Sequence, residues 1–168
     1  HEQAHVRQDA AHALGKIGDN RALDALIGIL GDSEVRVVIK SVQALGQIGD
    51  GRAASALAPL LGHDHAELRA TLSTALGQLR QTALPLLIRA LSDARLPVRE
   101  HAVEALGVIG GAEAEAVLIT ATRDPQAAVR LAAAMALSEC DTAATRVALS
   151  ALSADPDARV RAVAASAR

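Results

Sequence analysis

His5, Asp9 and His12 are the first residues whose types could do chemistry. Their i, i+4, i+7 spacing sets them along one helix face. Imidazole and carboxylate both ligate metals. His5 and His12 would stand about 10 Å apart along the axis, so three ligands from one straight helix do not converge on one ion. The spacing reads as a solvated polar face. His63, Asp64 and His65 form a second cluster, which reads as a helix start. Cys140 is the single cysteine, so no internal disulfide forms. No marker in the sequence places a basic partner beside it to raise a thiolate nucleophile. The expectation is a chain with no catalytic residue, no metal site and no cofactor.

The elements that position these residues follow from self-similarity. Ala13-Leu14-Gly15-Lys16-Ile17-Gly18-Asp19 returns as Ala44-Leu45-Gly46-Gln47-Ile48-Gly49-Asp50. Further copies begin at Ala75, Ala105 and Ala136, the last one weaker. Upstream of each copy lies a Val-Arg pair or its equivalent: Val6-Arg7, Val37-Val38, Leu68-Arg69, Val98-Arg99, Val129-Arg130 and Val160-Arg161. Five residues before the Val position stand Asp32, Asp93, Asp124 and Asp155, with His63 in the third unit. The units span approximately 1–31, 32–62, 63–92, 93–123, 124–154 and a partial 155–168.

Each unit reads as two helices of roughly 10–15 residues. In the first, Val6, Ala10, Ala13, Leu14 and Ile17 follow the spacing of one buried face. Gly18 closes it, and Asp19 caps the second helix, as Asp50 does one unit later. Ala22, Leu26, Ile29 and Leu30 form the buried face of that second helix. Pro85 is expected in the first turn of its helix, where a missing N–H costs little. Pro59 is expected to kink or fray its helix. Cys140 takes the place of Ile17 and Ile48 and is expected as a buried small hydrophobe.

The Arg column, Arg7, Arg69, Arg99, Arg130 and Arg161, could be an anion-binding stripe. A structural ladder fits better, because one guanidinium per unit can bond a loop Asp or a neighbouring carbonyl. The glycines after each Leu permit close helix packing. They are no phosphate loop, since no strand precedes them.

Composition narrows the function classes. Apolar residues make up 51% of the chain, yet Phe, Tyr and Trp are absent, so the core is Leu, Ala, Val and Ile. The net charge of −2, with signs interspersed, argues against a nucleic-acid groove. No apolar run reaches the ~18 residues of a membrane span.

The stretch Val6 to Asp19 resembles the HEAT repeats of the phycobilisome-lyase type, and the resemblance covers essentially the whole chain. It implies an all-α fold: a right-handed α–α superhelix, armadillo-like, of about five and a half two-helix repeats of ~31 residues. In such arrays the first helices line the concave side. The resemblance therefore implies a reading surface of His5, Asp9 and His12, then Arg36, Lys40 and Gln43, then Glu67, Thr71 and Thr74, then His101, Glu104 and Met135. It implies a non-enzymatic scaffold for a peptide or protein partner. A bilin lyase-like or chaperone subunit is the alternative, and nucleic-acid binding through the groove is the second. The remaining expectations are a single domain that is a piece of a longer chain, a cytoplasmic setting, no membrane contact, and a monomer or weak homodimer through the solenoid ends.

Overall fold

The computed structural model describes residues 2–167. The outermost residues of the first and last sequence repeats, His1 and Arg168, lie outside that range. Eleven α-helices and three short 3-10 turns run in sequence among the described residues, and the architecture is a HEAT/armadillo-like stack of helix pairs. The pairs are α1 (Glu2–Ile17) with α2 (Leu23–Ile29), α3 (Val35–Ile48) with α4 (Arg52–Leu57), and α5 (Ala66–Gln78) with α6 (Arg80–Ala90). They continue as α7 (Leu96–Ile109) with α8 (Gly111–Ala121), α9 (Ala127–Ser138) with α10 (Ala143–Ala151), and then α11 (Ala158–Ser166). The chain forms two compact units, His1–Leu86 and Leu87–Arg168.

Within the first unit α1 packs on α3 and α3 on α5. Within the second α7 packs on α9 and α9 on α11. First helices thus stack on first helices, and the glycine markers make this close. A Cβ on Gly15 would stand 2.7 Å from the Cβ of Ala44, one on Gly46 2.9 Å from the Cα of Ala75, and one on Gly107 2.9 Å from the Cβ of Ala136. Each Gly therefore receives the Ala of the next repeat, and any larger residue on either side would wedge the helices apart. Gly18 and Gly49 close α1 and α3 at φ 70° and 74°, a left-handed conformation that a side chain would strain.

The second helices bury a matching column. Ala22 and Leu26, Ala53 and Leu57, Ala83 and Leu87, and Ala114 and Leu118 are all buried, followed by Thr145 and Leu149. Leu23 joins this core, while Ile29 and Leu30 are only half-buried. In the second unit α8 and α10 are also tied by a polar contact: Glu115 accepts from the hydroxyls of Thr142 and of Thr145, the latter at 2.7 Å.

Several expectations need correction. The face of α1 read as buried is largely open: Val6 is 68% and Ile17 70% exposed. Ala10 and Ala13 are exposed as well, and Leu14 is half-buried. The equivalent Val37, Ser41, Ala44 and Leu45 of α3 are buried. That face is the one a preceding repeat covers, and no helix covers it on α1 among the described residues. Ala11 and Gly15, which face α3, carry the burial instead.

Pro85 sits inside α6, not in its first turn. The third repeat's linker is one residue shorter, and α6 starts at Arg80 directly after the Leu79 cap of α5. Pro59 behaves as expected: α4 stops at Leu57 and the chain continues as a 3-10 turn over Ala58–Gly62. Cys140 is half-buried, and burial pushes its thiol pKa up.

Candidate partner-binding surface

The Arg column is built into the joints between repeats. Arg130 Nε and Nη2 donate to the two carboxylate oxygens of Asp155 at 2.7 and 2.8 Å, while Nη1 donates to the carbonyls of Asp124 and Pro125. Arg99 repeats the arrangement with Asp124 at 2.9 and 3.3 Å and with the carbonyls of Asp93 and Ala94. Arg7 forks onto Asp32. Arg69 bonds the carbonyl of Asp64, and Arg161 those of Asp155 and Pro156. At Arg69, Arg99, Arg130 and Arg161 the guanidinium thus closes its own loop, and at Arg7, Arg99 and Arg130 it clamps the aspartate 25 residues on. This occupancy leaves Arg99 and Arg130 no free fork for a ligand anion.

The loop aspartates have a second task. Asp32, Asp93, Asp124 and Asp155 each accept the backbone N–H two residues on. His63 does the same with Nδ1 toward His65 N at 3.1 Å, and His65 Nδ1 caps α5 by accepting from Leu68 N. The cluster at 63–65 is therefore a helix start. Asp19 and Asp50, expected to cap the second helices and offered with the Arg column as structural residues, each accept the backbone N–H two residues on and pair with that residue's guanidinium, Arg21 or Arg52. Among the described residues no group of three His, Cys, Asp or Glu side chains converges on a metal position.

The same local fork sets an acid-sensitive joint. Asp157 caps α11, and the Arg159 guanidinium, followed by the Arg159 N–H, holds its carboxyl at about 2, from 3.8. A folded-state pKa below the unfolded one means stability present above the unfolded value and lost as pH falls through the folded one. Stability to denaturant should therefore fall steadily from about pH 4 to pH 2, and Asp157→Asn should flatten part of that slope. An unchanged slope in the variant would remove Asp157 from the acid limb.

With the arginines committed, the open surface lies between successive first helices. In the first unit a groove of about 430 Å³ runs over α1, α3 and α5. His12, Gln43, Thr71 and Thr74, expected on the reading surface, line it. Lys16, Gln47 and Gln78 line it as well and were not anticipated. They occupy the variable place between Gly and Ile or Leu in the repeated motif, one turn beyond His12, Gln43 and Thr74. Variability within a strict motif was the signal that could have found them. His5, Asp9, Arg36 and Glu67 are exposed but stand outside this groove, and Lys40 bonds Gln43 at 3.1 Å.

In the second unit a groove of about 370 Å³ lies over α7 and α9. Glu104 and Met135, both expected, face it, together with Glu100, Val108, Leu131 and Glu139. Val108 and Met135 are more than half exposed. His101 is not part of it and is buried, at 7% exposure. Its column sits at the edge of the packed face. A long chain such as Lys40 reaches solvent from there, whereas imidazole with two rotatable bonds stays down. Two further apolar notches of about 630 and 650 Å³ lie on the second-helix side of this unit.

A profile of HEAT repeats matches residues 1–46, 32–106 and 84–167, so the chain belongs to the HEAT-repeat family. Solenoids of this class are generally protein-binding scaffolds. Comparison with curated proteins finds no match. Among solved structures, the complex of CpcE and CpcF of phycocyanin lyase from Nostoc sp. PCC7120 is similar at 28% identity over 94% of this chain and 68% of that chain, with a TM-score of 0.55. Escherichia coli YibA aligns at 23% identity over 92% of this chain and 61% of its own, TM-score 0.51. A designed armadillo repeat protein in complex with the peptide (KR)4 aligns at 21% over 95% and 90%, TM-score 0.50. The last two share the fold alone. No helix among the described residues is long and apolar enough to cross a membrane.

Proposed function

We propose that this chain is a non-enzymatic interaction scaffold that takes a peptide or protein segment along its first-helix face. One observation carries the reading. The packing residues repeat from unit to unit, Gly against Ala and Arg against Asp, while the exposed residues lining the two grooves differ between units: His12, Gln43, Thr74, Glu104 and Met135 at one repeat position, and Lys16, Gln47 and Gln78, Val108 and Glu139 one turn on. Side chains that vary over a constant frame suit recognition of a partner whose own residues vary. The Arg column, committed at Arg7, Arg99 and Arg130 to aspartate, supports a structural role for that stripe. Near-neutral charge supports a protein partner over nucleic acid.

The test is selection from a displayed peptide library against the full chain. Selected peptides should lose roughly tenfold or more in affinity, about 1.4 kcal/mol, when Gln47 or Thr74 is changed to Arg. They should keep it when Ala144 on the second-helix side is changed to Arg. No selected binder, or binders indifferent to the groove substitutions, would overturn the reading. The likeness to the phycocyanin lyase complex favours a second reading, a bilin lyase-like subunit. A visible-band shift on mixing the chain with an open-chain tetrapyrrole would support it, and its absence would remove it.

A further inference from the structure

The groove over α7 and α9 differs in chemistry from the one in the first unit. Its exposed apolar surface is Val108 and Met135, with Leu131 half-buried beside them. Its charged residues are Glu100, Glu104 and Glu139, and no lysine, arginine or histidine lines it. No hydrogen bond or ion pair among the described residues neutralises these three carboxylates. The nearby Arg99 and Arg130 are committed to Asp124 and Asp155. An apolar floor with an uncompensated acidic rim calls for an occupant with the opposite charge and matching apolar side chains.

We infer that this groove binds an extended segment in which lysine or arginine alternates with a large apolar residue. The inference rests on the scaffold reading and names the partner chemistry for one of its surfaces. Spacing supports the alternation. Glu100 and Glu104 are one turn apart on α7, about 6 Å along the axis. Every second residue of an extended chain repeats at about 6.6 Å. Two basic side chains on one edge of such a segment therefore meet Glu100 and Glu104 together. The intervening apolar side chains turn toward Leu131 and Met135 on α9, and Glu139 meets a further cation at the end of the groove. Met135 suits this role because its unbranched thioether adapts to different apolar partners.

Fluorescence anisotropy with a labelled Lys-Leu-Lys-Leu-Lys peptide and the full chain tests this. Binding in the range of about 10–100 µM is expected, weakening as salt rises. Glu104→Lys should weaken it by roughly tenfold or more, and Met135→Lys comparably. Ala144→Lys, exposed on the second-helix side and outside this groove, should leave it unchanged. A Lys-Ser-Lys-Ser-Lys peptide should bind at least several-fold more weakly, and Glu-Leu-Glu-Leu-Glu should not bind. Equal binding of the serine or glutamate peptide, indifference to Glu104→Lys, or no binding of the leucine peptide would overturn the inference. Library-selected peptides that still need the first-helix grooves in that case would leave the scaffold reading standing.

Discussion

Gly46→Ala should destabilise the chain, although it replaces a poor helix former with the best one. Alanine gains roughly 1 kcal/mol of helix propensity inside α3. Its Cβ, however, would stand 2.9 Å from both Cα and Cβ of Ala75 and close against the Gln78 amide. The amide can swing away, but the backbone of α5 cannot without separating the two helices. Overpacking of this kind costs about 1–3 kcal/mol, which offsets the propensity gain and more when a backbone must shift. A net loss of about 1–2 kcal/mol lowers Tm by several degrees in a chain of this size. Gly28→Ala is the matched control. Gly28 lies in α2, and nothing stands within 4 Å of its would-be Cβ. That substitution should stabilise by about 0.4–1 kcal/mol. Thermal unfolding followed by circular dichroism reads both. Shifts of the same sign would show that close packing at the glycine marker does not set the helix spacing.

The second large effect belongs to Arg130→Ala. The guanidinium is 14% exposed and its partner Asp155 4%, so the pair is largely removed from water. Truncation leaves the Asp155 carboxylate without its counter-charge and with only the Asp157 N–H as hydrogen-bond donor. It also frees the carbonyls of Asp124 and Pro125. The expected loss is about 2–3 kcal/mol in urea unfolding, below the cost of a fully buried pair because Arg130 retains some solvent. Arg130→Lys should not restore it, since an ammonium cannot serve two carboxylate oxygens and two carbonyls in one plane. Arg146→Ala is the contrast: its pair with Asp141 lies at 63% and 92% exposure and should contribute little. Repeats touch mainly their neighbours, so hydrogen exchange in Arg130→Ala should quicken in α11 and stay unchanged in α1–α4. Uniform quickening across the chain would overturn the local-joint account.

Much of this was legible in the residues. The Ala-Leu-Gly motif marks the first helices because glycine and alanine at a fixed offset are what close stacking requires, and Gly15, Gly46 and Gly107 sit against the alanine of the next helix. The Val-Arg and Asp markers announce a joint because a planar fork and a carboxylate recur in register, and Arg7, Arg99 and Arg130 make it. His63 in the aspartate column kept its task because Nδ1, like a carboxylate oxygen, accepts an N–H.

Other features were not legible. Whether Val6 is core or surface depends on a neighbouring helix, and periodicity reads the same in either case. Pro85 moved into the interior of α6 because a one-residue deletion shifts a helix start, which repeat spacing locates only to within a turn. The reading surface moved too. The expected positions nearest the helix starts, His5, Asp9, Arg36 and Glu67, stand outside the grooves, which open over His12, Gln43, Thr74, Glu104 and Met135 and, one turn further on, over Lys16, Gln47, Gln78, Val108 and Glu139.

By itself, then, the sequence determined the repeat, the helix pairs and the joints, since these rest on contacts each unit makes at fixed offsets. The candidate site was decided only in three dimensions. The opening residues, His5, Asp9 and His12, share a helix face, yet only His12 reaches a groove, because a groove needs two helices and its place depends on how closely they pack.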